Sequence, residues 1–289
     1  MINMRVLITG GQGFIGRNLL KYFRSLGWET EPLKANIVKY DRVLAEMREF
    51  RPEVVIHCAA VVSSILCDLA GGYSFDVNVK GTWNVAKISK DLGADFIYVG
   101  SSASYKPSEE VITEESPLEP KTLYGFTKYL GEEVTRHVMG DDYTIVRLVF
   151  VFGPFDGHSG VWRIISAGLQ RRPVILLMDP RKYKDYMFVD NVNTAFERIV
   201  RKRLRGVYNV SYGKPQRLSE VVQKTLEIMR KHGVPPPLDI VFRPEEDYLG
   251  SHVVSNQKFI KASGWRPEVS FEEGVEICVK TGLKWFRPD

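Results

Sequence analysis

Tyr124 and Lys128 are the side chains of this sequence best suited to transfer a proton. They stand four positions apart, so a helix would place both on one face, one turn apart. A lysine ammonium beside a phenol favours the phenolate, and we expect it to lower the tyrosine pKa from its usual value of about 10. A general acid or base that works near neutral pH needs such a shift. The spacing alone is a weak signal, because chance pairs of this kind are common on solvated helices.

Two serine hydroxyls follow an apolar run upstream of this pair. Ser101 and Ser102 come directly after Phe-Ile-Tyr-Val-Gly at 96–100, where a buried strand is expected to end. Substrates bind at that end of parallel strands, so a hydroxyl there can hydrogen-bond a substrate hydroxyl or carbonyl. A helix cap or an ordinary loop serine is the alternative interpretation. Together with Tyr124 and Lys128, these hydroxyls predict an enzyme.

A glycine-rich segment near the N-terminus has the pattern of a dinucleotide-binding turn. Gly10, Gly13 and Gly16 are spaced three apart, after a strand-like run and before a helical one. Small residues let the backbone approach a pyrophosphate, and N–H groups at a helix N-terminus stabilise its charge. Phe14 and Ile15 belong to the same turn, and we expect all five residues to contact the cofactor.

The position that selects between NAD and NADP carries a lysine. About 20 residues beyond the glycines, NAD-binding folds of this layout place a carboxylate that bonds the ribose hydroxyls. By spacing from Gly16, Lys34 stands at that position. Its charge would attract a 2′-phosphate, which favours NADP. Alternatively, Lys34 points to solvent and Glu31 or a backbone group holds the ribose, which leaves NAD open.

Alternating strand and helix patterns surround these motifs. Buried strands and amphipathic helices are predicted in turn at 5–9, 15–25, 40–50, 54–58, 83–92, 96–99, 124–139 and 144–149. This alternation predicts an α/β fold with a doubly wound parallel sheet and ligands at the carboxyl ends of its strands. Glycine and proline loosen the pattern beyond about residue 150, where helices are expected at 160–171 and 218–232.

The change of pattern divides the chain into two parts. Residues 1–153 are expected to form the dinucleotide-binding domain. Residues 154–289 are expected to form a smaller, less regular, mainly substrate-binding region. Some of its segments, such as 184–210, are expected to return to the first domain.

Composition and charge disfavour several classes of protein. The chain has 289 residues, 44% hydrophobic and 26% charged, with a formal net charge of +5, as in globular proteins. No apolar run approaches the roughly 20 residues needed to cross a bilayer, and the strand-like N-terminus leaves no room for a signal peptide. We therefore expect a cytoplasmic protein without a membrane partner. Three cysteines and five histidines show no metal-ligand spacing, so no metal is expected. The basic cluster at 198–205 is interpreted as a helix end that Gly206 stops, not as a nucleic-acid-binding surface.

Motifs along almost the whole chain resemble the extended short-chain dehydrogenase/reductase superfamily, and within it the NAD-dependent epimerase/dehydratase family. Besides the residues above, the matching motifs are His-Cys-Ala-Ala at 57–60, Asn-Val-Lys-Gly-Thr at 78–82, Pro-Leu-Glu-Pro at 117–120, Val-Phe-Gly-Pro at 151–154, Lys-Asp-Tyr-Met-Phe-Val-Asp-Asn-Val at 184–192, Gly-Val-Tyr-Asn-Val at 206–210 and Gly-Trp-Arg-Pro at 264–267. The resemblance implies a Rossmann-type fold with NADP or NAD as cofactor. Within the family, the chain is similar to UDP-sugar 4-epimerases and dTDP-4-dehydrorhamnose reductases.

The resemblance also implies roles for individual residues. Ser101, Tyr124 and Lys128 would be catalytic, with Tyr124 as the acid/base. Contacts to the cofactor are implied for Tyr124, Lys128, Asn36, Ile37, Ala59 and Ala60. Contacts to the substrate are implied for Ser102, Phe150, Arg243 and either Arg181 or Lys184.

The implied substrate is a nucleotide-activated sugar, with a hydride passing between a sugar carbon and the nicotinamide. A 4,6-dehydratase is disfavoured, because Ser102 and Ala103 stand where the dehydratases carry an acidic pair. A 4-epimerase and a 4-ketosugar reductase both stay open. Phe150 replaces an asparagine that is usual in epimerases, which favours the reductase. The sequence at 184–192 is more similar to that of the epimerases.

Two further alternatives stay open, and an assembly is implied. The chain could be a non-catalytic NADP-binding regulatory subunit, or a reductase of a non-sugar carbonyl substrate. The resemblance implies a homodimer that pairs the helices at 83–92 and 124–139. Alternatively, the apolar faces of those helices only cover the sheet.

Overall fold

The computed structural model describes residues 4–62 and 64–286. Residues 1–3, where the expectation about the N-terminus begins, lie outside the described residues. The strands are β1 (Arg5–Thr9), β2 (Glu29–Pro32), β3 (Val54–His57), β4 (Asp95–Ser101), β5 (Tyr143–Leu148), β6 (Phe150–Phe152), β7 (Val174–Leu176), β8 (Tyr183–Lys184), β9 (Tyr186–Phe188), β10 (Gly206–Val210), β11 (Gln216–Arg217) and β12 (Ile240–Phe242).

Helices alternate with these strands. They are α1 (Phe14–Ser25), α2 (Tyr40–Phe50), α3 (Ser64–Leu69), α4 (Gly71–Phe75), α5 (Thr82–Asp91), α6 (Leu123–Met139), α7 (Gly160–Leu169), α8 (Val189–Lys202), α9 (Leu218–Lys231), α10 (Gln257–Ser263) and α11 (Phe271–Phe286). A π-helical turn spans Asp76–Gly81, and 3-10 turns span Ser102–Ser104 and Pro244–Glu246.

Six strands form one parallel sheet in the order β10-β5-β4-β3-β1-β2. Its central strands are apolar on both faces, as expected where helices cover both sides of a parallel sheet. The order reverses at β1, with β2 on one side and β3 on the other, and a ligand crevice opens at the carboxyl ends of strands beside such a switch point. The predicted α/β fold with a doubly wound parallel sheet is confirmed. Strand β10 returns from the C-terminal half to the edge of this sheet.

Apolar side chains pack on both faces of the sheet. On one face α1 and α8 bury residues such as Phe23 and Phe196. On the other face α2, α5 and α6 bury Met47, Val85 and Met139. Burial of these apolar side chains favours a layer of helices on each face of the sheet. The carboxyl ends of the strands are not covered by these layers and can contact a ligand.

Caps decide where α6, the predicted helix 124–139, begins and ends. The Thr122 hydroxyl accepts the N–H of Gly125 at 3.0 Å, so the helix begins at Leu123. Gly140 follows the last turn with a φ of 67°, a conformation that glycine adopts at little cost. These caps place Tyr124 in the first turn of the helix.

The basic segment at 198–205 does end a helix, but the expectation that Gly206 stops it is wrong. Helix α8 ends at Lys202, and Arg203 takes the left-handed conformation with a φ of 47°. The N–H of Leu204 then donates to the Ile199 carbonyl at 3.1 Å, and Leu204 packs against the core. This apolar contact closes the helix at Lys202, four residues before Gly206, which instead begins β10.

A second apolar core lies in the C-terminal half. Helices α7, α9 and α11 pack around Trp162, Met229 and Cys278, and α7 and α9 correspond to the predicted helices at 160–171 and 218–232. Across the described residues, no helix is long and apolar enough to cross a membrane. The same residues hold no group of three or more side chains placed to bind a metal ion.

Candidate active site

A cavity of about 1480 Å³ runs along the carboxyl ends of the central strands. This volume exceeds the roughly 300–1,000 Å³ of common ligand pockets, so two ligands can bind side by side. The predicted site residues that line it are Gly10, Gly13, Phe14, Ile15, Gly16, Lys34, Asn36, Ile37, Ala59, Ala60, Ser101, Ser102, Tyr124, Lys128 and Phe150. Segments far apart in the chain therefore meet at one site.

The glycine turn opens its backbone towards the cavity. Gly10 has a φ of 66°, and a Cβ there would lie 2.8 Å from the Cα of Ala59. A Cβ on Gly16 would collide with the Gly10 carbonyl. Helix α1 begins at Phe14 without a side-chain cap and without an acidic residue in its first turn, so its first N–H groups lack partners within the helix. These residues fit the pyrophosphate of a dinucleotide, whose charge they would stabilise.

Ser101 and Tyr124 meet on the cavity wall where α6 packs against β4. Ser101 is the last residue of β4, and its hydroxyl is hydrogen-bonded with the Tyr124 phenol. It also accepts the Ala103 N–H at 3.2 Å. The close approach of the helix requires Gly125, because a Cβ there would collide with the Ala103 carbonyl. The two hydroxyls are thus held as one polar unit facing the cavity.

We expected Lys128 to lower the pKa of Tyr124. In the chain without bound ligands this expectation is wrong. Burial raises the pKa of Tyr124 from its usual value, and the Ser101 hydroxyl offsets only part of this rise. Burial also lowers the pKa of Lys128 to about 8, with Glu132 opposing. The Lys128 ammonium lies over the Tyr98 ring, 4.2 Å from its centroid. Desolvation therefore outweighs the attraction between the two groups that the spacing suggests.

A buried ion pair lies behind Lys128. Glu132, one turn further along α6, is 2.7 Å from Arg147 of β5, and neither side chain is more than 1% exposed. Arg147 also donates to the Tyr105 hydroxyl at 2.7 Å. The Glu132 carboxylate favours the charged form of Lys128. Arg147 thus fixes the position of the Glu132 carboxylate, which acts on Lys128 from outside the cavity lining.

A histidine network fixes the loop after β3. His57 is fully buried, with Nδ1 2.8 Å from Thr9 Oγ1 and Nε2 3.0 Å from Thr82 Oγ1. The Thr82 hydroxyl donates to the Asn78 carbonyl, so it accepts from Nε2–H, and Nδ1 accepts from Thr9. The Thr9 oxygen also accepts the Ala59 N–H at 3.1 Å. Burial lowers the pKa of His57 to about 3, so a neutral ring holds Ala59 at the cavity.

The segment after β2 forms another part of the wall. Lys34 is exposed there, and no carboxylate of the described chain pairs with its ammonium. Its N–H and that of Ala35 donate to the Glu46 carboxylate at 2.7 and 2.8 Å, which fixes the loop. Asn36 and Ile37 follow on the same wall. Residues predicted to contact the adenosine half of a dinucleotide are thus gathered in one place.

The C-terminal half supplies the remaining wall. Lys184 and Tyr186 line it beside Phe150, together with the segment 246–249. The Lys184 ammonium lies 5.5 Å from the centre of the Phe150 ring. This wall combines an aromatic ring with a buried cation, a chemistry suited to an anionic ligand that also carries an apolar face.

Arg181 and Arg243 do not line the cavity. The Arg181 side chain is 84% exposed and pairs with Asp179 at 2.8 Å. The Arg243 side chain is half exposed and lies 3.7 Å from Glu245. Of the three cations considered for substrate phosphates, Lys184 alone faces the cavity.

Several lining residues were not predicted from the sequence. The charged ones among them include Arg17, Asp156, Arg163, Glu246 and Asp247. Asp247 is 63 positions from its partner Lys184, so no local pattern connects them. For Glu132 a signal did exist, because it stands four positions after Lys128 on the same helix face.

Known proteins resemble this chain over nearly its whole length. A model of the NAD dependent epimerase/dehydratase family matches residues 6–211. A putative UDP-glucose 4-epimerase of Methanocaldococcus jannaschii is 26% identical over 301 residues, which cover 95% of this chain and 97% of that protein. The structure of the Thermus thermophilus UDP-glucose 4-epimerase in complex with NAD is 27% identical with a TM-score of 0.85, covering 96% of this chain and 99% of that one. A dTDP-4-dehydrorhamnose reductase of Bacillus anthracis in complex with NADP shares the fold, at 23% identity and a TM-score of 0.82, covering 94% and 97%.

Proposed function

Because the chain belongs to the NAD-dependent epimerase/dehydratase family, we propose that it moves a hydride between a nicotinamide and a sugar carbon of a nucleotide-activated sugar, as a 4-epimerase or a 4-ketosugar reductase. The observation that carries this proposal is the meeting of Ser101, Tyr124 and Lys128 on the wall of a cavity whose glycine turn fits a dinucleotide. The relatives named UDP-glucose 4-epimerases, at 26% and 27% identity, support the class of substrate.

The residues of the chain handle the proton that accompanies the hydride. A bound nicotinamide supplies the hydride acceptor and donor. The Tyr124 oxygen takes the proton of the sugar hydroxyl during oxidation and returns it to the keto oxygen during reduction. Burial raises the pKa of Tyr124, so the phenol of the chain is protonated at neutral pH, the form that the reducing step requires. The oxidising step requires the phenolate, which the positive charge of Lys128 would favour. Ser101 shares the proton through its hydrogen bond, and Lys128 supplies the nearby positive charge.

The exposed Lys34 supports NADP as the cofactor. Its ammonium, which pairs with no carboxylate among the described residues, lies on the wall after β2 and would attract the 2′-phosphate that distinguishes NADP from NAD. Of the two reactions, the same observation favours the 4-ketosugar reductase, which consumes NADPH. An epimerase recycles a tightly held cofactor, whereas a reductase exchanges it at each turnover.

Nucleotide released on denaturing the purified protein distinguishes these candidates. Near-stoichiometric NAD supports the epimerase and contradicts the role given to Lys34. Little nucleotide, or NADP(H), supports the reductase. If the wild type binds dinucleotide but turns over no member of a nucleotide-sugar panel, a regulatory subunit replaces both. Turnover of other carbonyl compounds alone would instead identify a non-sugar reductase.

A homodimer through α5 and α6 completes the proposal. The two helices pack together at the surface. Trp83 on α5 is 42% exposed, Phe126 on α6 is 40% exposed, and Trp83 stacks on His137 of α6. Large aromatic side chains at this exposure are typical of the central part of a protein interface.

A further inference from the structure

The buried cation on the substrate wall already has an anionic partner. The Lys184 ammonium donates to the Asp247 carboxylate at 2.8 Å and to the Gly250 carbonyl. The second oxygen of Asp247 accepts the N–H of Asp179 at 3.0 Å. Lys184 and Asp247 both line the cavity. A carboxylate of the chain thus receives the donors that an anionic ligand at this wall would need.

Asp247 lies on a short surface segment. It follows the 3-10 turn Pro244–Glu246, and residues 246–249 face the cavity. Its neighbour Tyr248 is 58% exposed. The side chain of Asp247 is only 4% exposed, while the segment that carries it lies at the surface. A local movement of this segment can therefore release the carboxylate without disturbing the sheet.

A polar side chain beside this pair lacks a partner. The Tyr186 hydroxyl is buried, and no described residue forms a hydrogen bond with it. Its ring packs against Phe150, at 5.8 Å between centroids, on the same wall as Lys184. A buried polar atom without a partner is costly, and a ligand rich in hydrogen-bonding oxygens would remove that cost.

We propose that Asp247 holds the place of an anionic substrate group, occupying Lys184 and the Asp179 amide until a substrate phosphate displaces it. The choice of a phosphate rests on the proposed nucleotide-sugar function. A phosphate carries more charge and more acceptor oxygens than a carboxylate, so it competes well for both donors. The spare oxygens can accept from the Tyr186 hydroxyl. Asp247 thereby weakens the binding of ligands that cannot provide a phosphate at this point.

The first test measures the binding of inorganic pyrophosphate by calorimetry, with NADPH present to fill the glycine turn. Asp247→Asn removes the competing charge, and we expect it to bind pyrophosphate about tenfold more tightly than the wild type. Glu245→Gln, an exposed neighbour in the same segment, should change nothing. Equal or weaker binding by Asp247→Asn would overturn the proposal, because Asp247 would then support the site.

A double variant tests whether Lys184 is the donor that is released. Adding Lys184→Met to Asp247→Asn should abolish the gain in pyrophosphate affinity. If the gain persists, the anion binds elsewhere and the proposal is wrong.

Hydrogen exchange on the wild type avoids the risk that these variants fold poorly. Pyrophosphate should speed exchange of the amides at 245–250, since Asp247 leaves its partners. Slower or unchanged exchange would contradict displacement.

These measurements are independent of turnover. Suppose that Asp247→Asn binds pyrophosphate more tightly than the wild type, but that the wild type turns over neither UDP-glucose nor a ketosugar nucleotide. The role of Asp247 would then stand, and the proposed function would be rejected. If the wild type turns over such a substrate and Asp247→Asn does not change pyrophosphate binding, the proposed function would stand and the role of Asp247 would be rejected.

Discussion

At the scale of single residues, burial shifts the pKa values of the two proposed proton-transfer groups. The sequence places Tyr124 and Lys128 on one helix face, and the structure keeps them there. Their pKa values could not be predicted, because desolvation depends on every segment that packs around them. Burial raises the pKa of Tyr124 and lowers that of Lys128 to about 8. The ion pair of Lys184 with Asp247 was equally beyond prediction, since it joins residues 63 positions apart.

Glu132→Gln should move the pH dependence of turnover. The carboxylate favours the charged form of Lys128, so its loss lowers the Lys128 pKa below about 8 and moves the alkaline limb of the pH–rate profile to lower pH. The change also leaves Arg147 buried without its partner, which should lower the free energy of unfolding by about 3–5 kcal/mol. Glu133→Gln, half exposed on the next position, is the control and should move neither. A folded Glu132→Gln with an unchanged pH profile would disprove the link to Lys128.

Lys34→Glu should reverse the preference for NADP that we propose. We expect the dissociation constant of NADPH to rise about tenfold, equivalent to about 1.4 kcal/mol, because the 2′-phosphate meets a negative charge. The dissociation constant of NADH should change much less. Lys39→Glu, exposed in the same loop but outside the cavity wall, is the matched control. Fluorescence titration with both reduced cofactors measures the effect, and a wild type that prefers NADH would refute the role of Lys34.

At the scale of elements, the strongly periodic segments were predictable and the short ones were not. The strand predicted at 54–58 is Val54–His57, and the helix predicted at 40–50 is Tyr40–Phe50. Strands of two or three residues, such as β8 and β9, form only through partners distant in sequence and have no local pattern. The π-helical turn Asp76–Gly81 was also missed, because nothing in its composition separates it from an α-helix.

The His57 network should make the chain less stable in acid. An unfolded histidine protonates near pH 6.5, whereas burial lowers the pKa of folded His57 to about 3. Between these values the unfolded state binds a proton that the folded state does not, so stability falls as pH falls from 6.5 towards 3. Going from about pH 7.5 to 5.5 should cost about 1 kcal/mol at His57. His252, with a pKa lowered to about 4, acts in the same direction, and Asp185, with a pKa raised to about 6, opposes it.

Urea unfolding of the wild type and of His57→Gln at both pH values isolates this contribution. The difference between the two pH values should change by about 1 kcal/mol in the variant, in the direction of greater acid resistance. His158→Gln, which alters an exposed histidine, should behave like the wild type. An identical pH dependence in His57→Gln would show that the network does not carry the linkage.

At the scale of the whole molecule, the cavity draws on both halves of the chain. The N-terminal half supplies the glycine turn and the Ser-Tyr-Lys group, all predicted from sequence. The C-terminal half supplies Lys184 and the segment 246–249. In this half, Arg181 and Arg243 were predicted to contact the substrate phosphates, but neither side chain lines the cavity. Local patterns do not show which surface charges a loop turns towards a cavity.

Trp83→Glu should convert the proposed homodimer into a monomer, because a charge buried in an interface without a partner is costly. Sedimentation velocity at micromolar concentration measures the change. Trp285→Glu alters a tryptophan that is 67% exposed on α11 and should leave the dimer intact. A monomeric wild type would discard the interface altogether.

Hydride transfer is most directly tested by mixing the dinucleotide-loaded protein rapidly with nucleotide sugars and following the absorbance of the reduced nicotinamide. In the wild type we expect the absorbance to change on mixing and the sugar to be turned over. Tyr124→Phe should slow turnover by about 10²–10⁴-fold with unchanged affinity for the dinucleotide. The control Tyr129→Phe, on the same helix but outside the cavity wall, should keep the turnover rate of the wild type. Full turnover by Tyr124→Phe, or no absorbance change in the loaded wild type with any nucleotide sugar, would contradict hydride transfer at this site.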